Sequence, residues 1–497
     1  MSRMLVALVV ALLATASPST PTLAELSKLH RHAMGQMPAS TARWSGSITH
    51  GAVVQPFTVT ADSTGRYRGS WQTALGTTVV GSDGSIDWTQ DESGAVESQP
   101  TDHQFALGFE LARLDAYDFG DKSATVNGPL TVDGHKVYAI KIADAANPMT
   151  LYLDAKTYLV YGADSTDSTI RYRAHKRFDG FEVPTQIDDT TNGQTTTRKI
   201  DSVAFGVDVS DSFAAPTSRE PAFPANSTDV TIDFNNPNGL ILIPASIDGQ
   251  TVHLLVDSGS STSVIDADVA KRLNLPTAGI AKIEGADLLT GTYARADTLT
   301  VGGIAFDPFI LEAVPLELPQ PLRHLGIDGV LGYDFLEHVV ARIAYYPRKL
   351  QLIQPTAFTY SGTGAIMDVD LSNRVPIVTA AMSGNDKATF TVDTGSDQGL
   401  VLYDTFANSH PRDFTHPLDI DPSQSGGVGG SVSARPVTVV EVDLGQFTVR
   451  NVTAEVLLRS TGAFAPGLSD GLIGASLLGA FRAVFLDYRG KRLILEK

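Results

Sequence analysis

Cysteine is absent from the sequence, so neither a disulfide nor a lipid-modified cysteine is possible. Positive charge is scarce too: 37 Lys and Arg stand against 55 Asp and Glu, a formal net charge of -18 at pH 7. This balance repels phosphate backbones and anionic lipid head groups, which argues against nucleic acid or a membrane surface as a partner. No His, Cys or Glu cluster has metal-ligand spacing, and no glycine-rich loop opens a helix in phosphate-binding fashion. We therefore expect neither a metal nor a cofactor.

Long apolar runs are missing beyond the N-terminus, where a membrane span would need roughly 20 residues. The N-terminus itself begins with a basic residue, Arg3, and continues with an apolar run over residues 4–14 and small residues as far as Ala24. This order is typical of an export signal. We interpret residues 1–24 as a signal peptide and expect an exported protein, periplasmic or secreted.

Charge-rich helical patterns are rare, whereas glycine and proline are frequent, which favours a mainly β architecture. At 497 residues the chain is long enough for two or three domains. Short alternating strands separated by turn residues predict a β-rich domain over 25–213. Prolines among Ser, Thr and Asn predict a linker over 214–238. The remainder is interpreted as two lobes, 239–357 and 358–497.

Three stretches of the first domain carry a family resemblance: "LYLDAKTYLV", "FDGFEVPTQI" and "VDVSDSFAAP". They resemble the bacterial outer-membrane lipoprotein carrier proteins. The resemblance implies a curved, half-barrel-like antiparallel sheet whose apolar concave face holds a lipid or lipoprotein. A generic β domain without a ligand has equal weight, and such a domain could instead localise a substrate or inhibit the lobes that follow.

The last 260 residues contain an internal repeat. The stretch "DGVLGYDFLEHVVARIAYYPRKLQL" from Asp328 aligns without a gap with "DGLIGASLLGAFRAVFLDYRGKRLI" from Asp470, an offset of 142 residues. Upstream, "LLVDSGSSTSVID" and "FTVDTGSDQGLVL" place Asp257 and Asp393 at the ends of apolar strands, 136 residues apart. Each half therefore has the same order of parts: apolar strand, Asp turn, hairpin, Asp-Gly-apolar-apolar-Gly, short helix and closing hairpin.

This repeat resembles the retropepsin-like and pepsin-like aspartic peptidases, in which a later apolar-apolar-Gly motif supports an Asp-Thr/Ser-Gly loop. Here Val330-Leu331-Gly332 and Leu472-Ile473-Gly474 match the second motif. The resemblance implies a fused dimer: a mainly β, bilobal pair of aspartic-peptidase-like β-barrels preceded by the β-rich domain. It also implies a monomer with an internal pseudo-dimer and a polypeptide substrate.

Two carboxyl groups that share one proton can take a proton from water and give one to a carbonyl oxygen, so Asp257 and Asp393 are the candidate catalytic residues. Glycine allows each loop to turn tightly and its amides to approach the carboxylates. By the resemblance, the Ser/Thr that follows each Asp bonds across the halves. We expect the next serine to donate to the outer carboxylate oxygen. The candidate supporting residues are Ser258, Gly259, Ser260, Thr394, Gly395 and Ser396.

Each half also contains a candidate flap, a hairpin that would close over a substrate. The first is predicted near residues 288–303, with Tyr293 as the candidate flap tyrosine. The second is predicted within 425–445, where Gly429 and Gly430 belong to a glycine-rich stretch.

Other functions are compatible with the same residues. Asp397 places an extra charge beside the second loop, so the sequence is also compatible with a peptide-binding protein that lacks catalysis. The first domain is compatible with a lipid or lipoprotein carrier, in which the two C-terminal lobes would have a secondary function.

Overall fold

The computed structural model describes residues 20–497 apart from 101–123, 143–148, 192, 210–212, 236, 285–287, 317, 319–321, 383–385, 416–422, 428–429 and 459–466. The chain folds into two separate units. The first holds residues up to Thr73 together with Thr77–Asp91 and Val96–Thr217. The second holds Ser218–Lys497 and two short pieces, Ala74–Gly76 and Glu92–Ala95.

The first unit is one antiparallel sheet of 13 described strands with a helix, α1 (Leu23–Met34). Its strand order is β6-β5-β4-β3-β2-β1-β13-β12-β11-β10-β9-β8-β7, so every neighbour except the β1–β13 pair is consecutive in the chain. The strands are β1 (Thr41–His50), β2 (Val53–Asp62), β3 (Tyr67–Gln72), β4 (Thr77–Ser82), β5 (Ile86–Gln90), β6 (Val96–Pro100), β7 (Ala124–Val132), β8 (His135–Ile142), β9 (Met149–Asp154), β10 (Val160–Asp164), β11 (Ser168–Phe178), β12 (Phe181–Thr191) and β13 (Gln194–Phe205).

Helix α1 begins at a capping box. The Thr22 hydroxyl accepts the Glu25 N–H at 3.3 Å, and the Glu25 carboxylate accepts the Thr22 N–H at 2.8 Å, which satisfies two amides of the first turn. Leu26 and Met34 are buried in the core of this unit. Residues 1–19 of the predicted signal peptide lie outside the described residues, so export stays a prediction.

The second unit contains 23 described strands and four short helices. The helices are α2 (Ala267–Arg272), α3 (Tyr333–Leu336), α4 (Asp404–Ser409) and α5 (Ala475–Leu478), and single 3₁₀ turns occur at Pro237–Gly239, Leu322–His324 and Pro355–Ala357. The strands are β14 (Asp229–Asp233), β15 (Leu242–Ile247), β16 (Gln250–Val256), β17 (Val264–Asp266), β18 (Thr277–Glu284), β19 (Leu288–Ala296), β20 (Leu299–Val301), β21 (Ile304–Phe306), β22 (Phe309–Val314), β23 (Gly329–Leu331), β24 (Val340–Tyr345), β25 (Arg348–Ile353), β26 (Ala365–Asp368), β27 (Ile377–Met382), β28 (Asp386–Asp393), β29 (Leu400–Leu402), β30 (Phe414–Thr415), β31 (Ser423–Gly427), β32 (Gly430–Leu444), β33 (Phe447–Leu457), β34 (Gly471–Gly474), β35 (Ala483–Asp487) and β36 (Arg492–Glu496).

Three sheets build this unit, and two of them repeat one plan. The first half forms the sheet β18-β19-β22-β17-β23-β16-β15-β20-β21, and the second half forms β27-β28-β34-β29-β33-β32-β30, with β31 paired to β32. The third sheet, β14-β25-β24-β35-β36-β26, takes strands from both halves. The prediction of a mainly β chain with two repeated lobes is confirmed.

The shared sheet joins the halves through β24 and β35, which pair antiparallel from Val340 opposite Asp487 to Ile343 opposite Val484. A single apolar core runs through both halves and buries such side chains as Leu254, Phe390 and Leu486. Within the range predicted as a linker, Asp229–Asp233 form β14 and pair with β25, because their alternating Val230 and Ile232 pack on that core. Among the described residues, no helix is long and apolar enough to cross a membrane.

Candidate active site

Each of the two Asp loops leaves a strand that is supported by a parallel neighbour. In the first half, β16 pairs with β23, placing Leu255 opposite Val330, and the Asp257 N–H donates to the Leu331 carbonyl at 3.0 Å. In the second half, β28 pairs with β34 in the same way, with Asp393 opposite Gly474. The two apolar-apolar-Gly stretches therefore lie beside the Asp loops, as the repeat predicts.

Reciprocal hydrogen bonds lock the two loops together. The Ser258 N–H donates to the Thr394 hydroxyl and the Thr394 N–H donates to the Ser258 hydroxyl, both at 3.0 Å. Each hydroxyl then donates to a carbonyl of the other half, Ser258 to Val392 at 2.6 Å and Thr394 to Val256 at 2.8 Å. All four groups are buried, so the interlock is shielded from competing water. The cross-half bonding predicted for Ser258 and Thr394 is present.

The two carboxyl groups meet across this interlock. A Cβ placed on Gly395 would come within 2.3 Å of the Asp257 Cγ, and one on Gly259 within 2.6 Å of the Asp393 Cγ. Each glycine N–H donates to the carboxylate of its own loop at 2.8 Å. Only glycine fits at these positions, because each loop backbone touches the carboxylate of the opposite half.

Mutual contact and burial shift the pKa of both Asp257 and Asp393. Burial raises the pKa of Asp257, although hydrogen bonds from Asp393 and from loop amides oppose the shift. The pKa of Asp393 is raised well above its usual value by burial and then by the negative charge of Asp257. Two carboxyl groups in contact cannot both ionise easily, so the pair retains one proton into a pH range in which an isolated Asp is fully ionised. As whole residues, Asp257 and Asp393 are only half-buried, so water can approach the pair from one side.

The serine that follows each glycine does not act as predicted. The Ser260 hydroxyl donates to the Thr262 carbonyl at 2.7 Å, and the Ser396 hydroxyl accepts the Gln398 N–H at 3.4 Å. Their backbone N–H groups face the carboxylates instead and lower the pKa of Asp257 and Asp393, respectively. The tight turn explains the difference, because it points these amides inward and turns the hydroxyls toward the following residues.

The first hairpin overlaps its predicted range in part. It is formed by β18 and β19, so it covers 288–296 of that range and extends upstream to residue 277, whereas residues 299–301 form the separate strand β20. Tyr293 belongs to β19, opposite Ala278 across the hairpin. Burial and then the Glu312 charge raise its pKa. Its role as a flap tyrosine stays a prediction.

The second hairpin agrees more closely with its predicted range, 425–445. Strand β31 pairs with the start of β32, with Gly427 opposite Gly430. Gly430 is thus the first residue of β32, and Gly429 lies outside the described residues.

A row of paired residues crosses each half on the face that carries the catalytic candidate. Leu255 lies two residues before Asp257, and Thr391 lies two residues before Asp393. Strand alternation therefore points each of them to the same face of its sheet as the following Asp. The two rows differ in chemistry, because the first has Leu255 where the second has Thr391, whose hydroxyl lies 3.1 Å from that of Ser469. The first row is Leu255, Val330, Val264, Glu312 and Tyr293, and the second is Thr391, Leu472, Val401, Glu455 and Pro436.

Sequence reasoning missed three polar residues behind the site. Asp334 accepts the Ser263 N–H at 2.9 Å and a short hydrogen bond from the Ser263 hydroxyl, and burial raises its pKa to about 6. Tyr345 and Tyr488 have buried hydroxyl groups. A signal existed for Asp334, since a lone acid in the apolar stretch "GVLGYDFL" must be satisfied by a buried partner.

The described residues contain no group of three or more His, Asp or Glu side chains placed to bind a metal ion.

Comparisons with known proteins concern both parts of the chain. No curated protein matches it significantly by sequence. Among the solved structures that match, two are similar to its N-terminal part at low identity. One is a DUF1329 family protein from Desulfovibrio piger, 14% identical with a TM-score of 0.29, covering 38% of this chain and 94% of that one. The other is a LolA superfamily protein from Nitrosomonas europaea, 12% identical with a TM-score of 0.28, covering 36% and 93%.

The C-terminal part matches a family model in two places. The model is described as Aspartyl protease, and the matched residues are 243–335 and 378–477. These ranges contain Asp257 and Asp393, respectively, and both apolar-apolar-Gly stretches. The second unit thus has an aspartyl-protease-like fold, in which each half matches the family once.

Proposed function

We propose that this protein is an aspartic endopeptidase in which Asp257 and Asp393 activate a water molecule for hydrolysis of a peptide bond. The observation that carries the proposal is the contact of the two carboxyl groups at the base of two interlocked loops. The family match of both halves supports it.

The chemistry follows from the shared proton. In the singly ionised pair, the ionised carboxylate accepts a proton from water as the water attacks the carbonyl carbon, and the protonated carboxyl donates to the carbonyl oxygen. Collapse of the tetrahedral intermediate returns a proton to the leaving amine. The loop amides hold the carboxylates in place throughout, which avoids reorganisation during the reaction.

The substrate is a polypeptide bound between the two Asp-bearing faces, under hairpins β18–β19 and β31–β32. The N-terminal segment supports export, to the periplasm or outside the cell. The presence of both Asp loops in one chain supports a monomer with an internal pseudo-dimer. A substrate-binding or inhibitory role for the first unit is compatible with this activity.

Replacement of either acid tests the proposal. Asp257→Asn or Asp393→Asn should lower the rate of cleavage of a denatured protein by at least about 10²-fold to 10⁴-fold, because a fixed amide cannot exchange the proton. A statine-type inhibitor should bind the wild type and not the variants.

Asp248→Asn is the matched control. Asp248 lies in an exposed turn, where its carboxylate accepts the Thr298 N–H at 2.8 Å, a bond that asparagine can keep. Full activity in either dyad variant would contradict the mechanism. Peptide binding without turnover in the wild type at any pH from about 3 to 8 would favour the non-catalytic peptide-binding alternative.

A carrier function for the first unit is the second candidate, and one observation favours it. Met37, Trp44, Phe181 and Phe205 line a narrow apolar pocket against the sheet of this unit, which would have to widen to admit an acyl chain. Lipid that co-purifies with the full chain and is lost on deletion of residues 25–213 would support a lipid or lipoprotein carrier. A full chain free of lipid after expression in cells that make lipoproteins would exclude it.

A further inference from the structure

Two tyrosine hydroxyl groups lie buried behind the candidate dyad without a hydrogen-bond partner among the described residues. They belong to Tyr345 and Tyr488. A hydroxyl that loses water and gains no partner destabilises the folded protein, whereas phenylalanine would fill the same space without that cost. The two hydroxyls are therefore candidates for a role other than packing.

Each tyrosine comes from one half and lies behind the catalytic loop of the other. Tyr345 ends β24 of the first half, and a Cβ on Gly479, just after α5, would lie 3.7 Å from the Tyr345 ring. Helix α5 is tied to the second loop, since the Ala475 N–H donates to the Ser396 carbonyl at 2.8 Å.

In the second contact the halves are exchanged, so that a tyrosine of the second half lies behind the loop of the first half. Tyr488 follows β35 of the second half, and its ring packs edge-to-face on Tyr333 with 5.7 Å between centroids. The Tyr333 N–H donates to the Ser260 carbonyl at 3.0 Å, directly after the first loop glycine. Both phenols are thus one residue layer removed from a catalytic loop, in a crossed arrangement.

The charges that face these hydroxyls are mainly those of the dyad. Burial and then the charge of Asp257 raise the pKa of Tyr488 well above its usual value, with smaller effects of Tyr333 and Asp393. Burial and then the charge of Asp393 raise the pKa of Tyr345. Both phenols accordingly stay protonated at any working pH and remain O–H donors.

Other charged groups on the surrounding elements have partners of their own. The Arg374 guanidinium stacks on the Tyr333 ring at 5.8 Å, and Asp487 beside Tyr488 is paired with Arg492 at 2.7 Å. A hydroxyl without a competing acceptor can rotate its proton toward the nearest net negative charge. For Tyr345 and Tyr488 this charge is the singly ionised carboxyl pair.

We propose that Tyr345 and Tyr488 are positioning residues of the dyad, whose crossed, buried hydroxyl dipoles stabilise its singly ionised form. The proposal rests on the aspartic-peptidase function proposed above. In this proposal the shared sheet also positions a polar group from each half behind the catalytic loop of the other half.

The test compares Tyr345→Phe, Tyr488→Phe and the double variant of the full chain with Tyr360→Phe. The Tyr360 hydroxyl accepts the Gly364 N–H at 2.7 Å and contacts Glu496 at 3.1 Å, so it is a partnered hydroxyl in the same unit. Loss of a dipole that favours the anion should move both limbs of the pH profile of kcat/KM to higher pH, by a few tenths of a unit per tyrosine and more in the double variant. The thermal midpoint should stay or rise in these variants and fall in Tyr360→Phe.

Unmoved pH limbs in the double variant, with a folded protein, would overturn the proposal. A shift of equal size in Tyr360→Phe would also overturn it, because the effect would then not depend on position. If the wild type cleaves nothing, the peptidase function fails separately. The dyad can then still be titrated by NMR of ¹³C-labelled aspartate carboxyl groups, where the proposal requires a higher pKa in the double variant.

Discussion

At the scale of single residues, the site depends on buried polar atoms that are bonded across the two halves. The hydroxyl of Thr394 accepts the Ser258 N–H and donates to the Val256 carbonyl, and this hydroxyl is fully buried. Deletion of the hydroxyl therefore leaves a donor and an acceptor unpaired, each at a cost of about 1–3 kcal/mol.

Thr394→Val keeps the shape of the side chain and removes these bonds. We expect the free energy of unfolding of the second unit to fall by about 2–5 kcal/mol. We also expect loss of cleavage, since the loops are no longer held in register. Urea unfolding and kcat/KM measure the two effects. Thr394→Ser is the matched control, because it restores the hydroxyl and should recover most of both; equal damage in the two variants would show that packing, not the hydroxyl, matters.

Asp334 makes a pH-dependent contribution to stability. Its folded pKa, about 6, exceeds the usual 3.8, so its contribution is complete below about pH 4 and is lost as the pH rises through 6. The loss amounts to at most about 3 kcal/mol. Asp334→Asn should remove this slope and flatten the dependence of unfolding free energy on pH between about 4 and 8. A slope as steep as that of the wild type would refute the assignment of this acid.

At the scale of elements, the internal repeat predicted the order of parts and the approach of Asp257 to Asp393. Local sequence patterns were enough for these two predictions, because an apolar strand, an Asp turn and an apolar-apolar-Gly strand can each be recognised from a short stretch of sequence. Only the end of the first flap range differs from the observed hairpin, because Gly302-Gly303 turn the chain between the short strands β20 and β21, and such a turn resembles a hairpin tip in the sequence. The crossed tyrosines could not be predicted, since alternation shows which face a side chain takes and not which distant loop covers it.

The two Asp-bearing faces predict unequal preferences on the two sides of the scissile bond. Thr391→Val keeps the shape of the side chain but removes the hydroxyl that pairs with Ser469 on the second face, so kcat/KM for substrates that differ on one side of the bond should change by about tenfold. Leu255→Val alters the first face and should affect the other side. Product analysis of a mixed peptide library distinguishes them. Identical changes in both variants would contradict a division of labour between the faces.

At the scale of the whole molecule, the acids with shifted pKa differ between the units: those described in the first unit have a lowered pKa, whereas most of those in the second unit have a raised one, with Glu220 and Asp370 as exceptions. In the first unit, hydrogen bonding by Arg171 lowers the pKa of Asp133, and the backbone N–H of Ser85 lowers that of Asp83. In the second unit, burial raises the pKa of Asp257, Asp334 and Asp393. Acids with lowered pKa stabilise above their unfolded value and lose that effect as the pH falls, whereas acids with raised pKa lose theirs as the pH rises.

The units should therefore respond oppositely to acid. Between about pH 8 and pH 5, acidification should raise the stability of the second unit and leave that of the first nearly constant; below about pH 4 the first unit should weaken. Hydrogen exchange resolved by peptide measures both units in one intact chain, with β28 and β12 as reporters. Relief of the net charge of -18 acts on both units, so the difference between them is the informative quantity. In a chain carrying Asp257→Asn, Asp334→Asn and Asp393→Asn, the rise in the second unit should shrink to the part due to its other acids with raised pKa, such as Glu312 and Asp397, while the behaviour of the first is unchanged; a rise of undiminished size would contradict this origin.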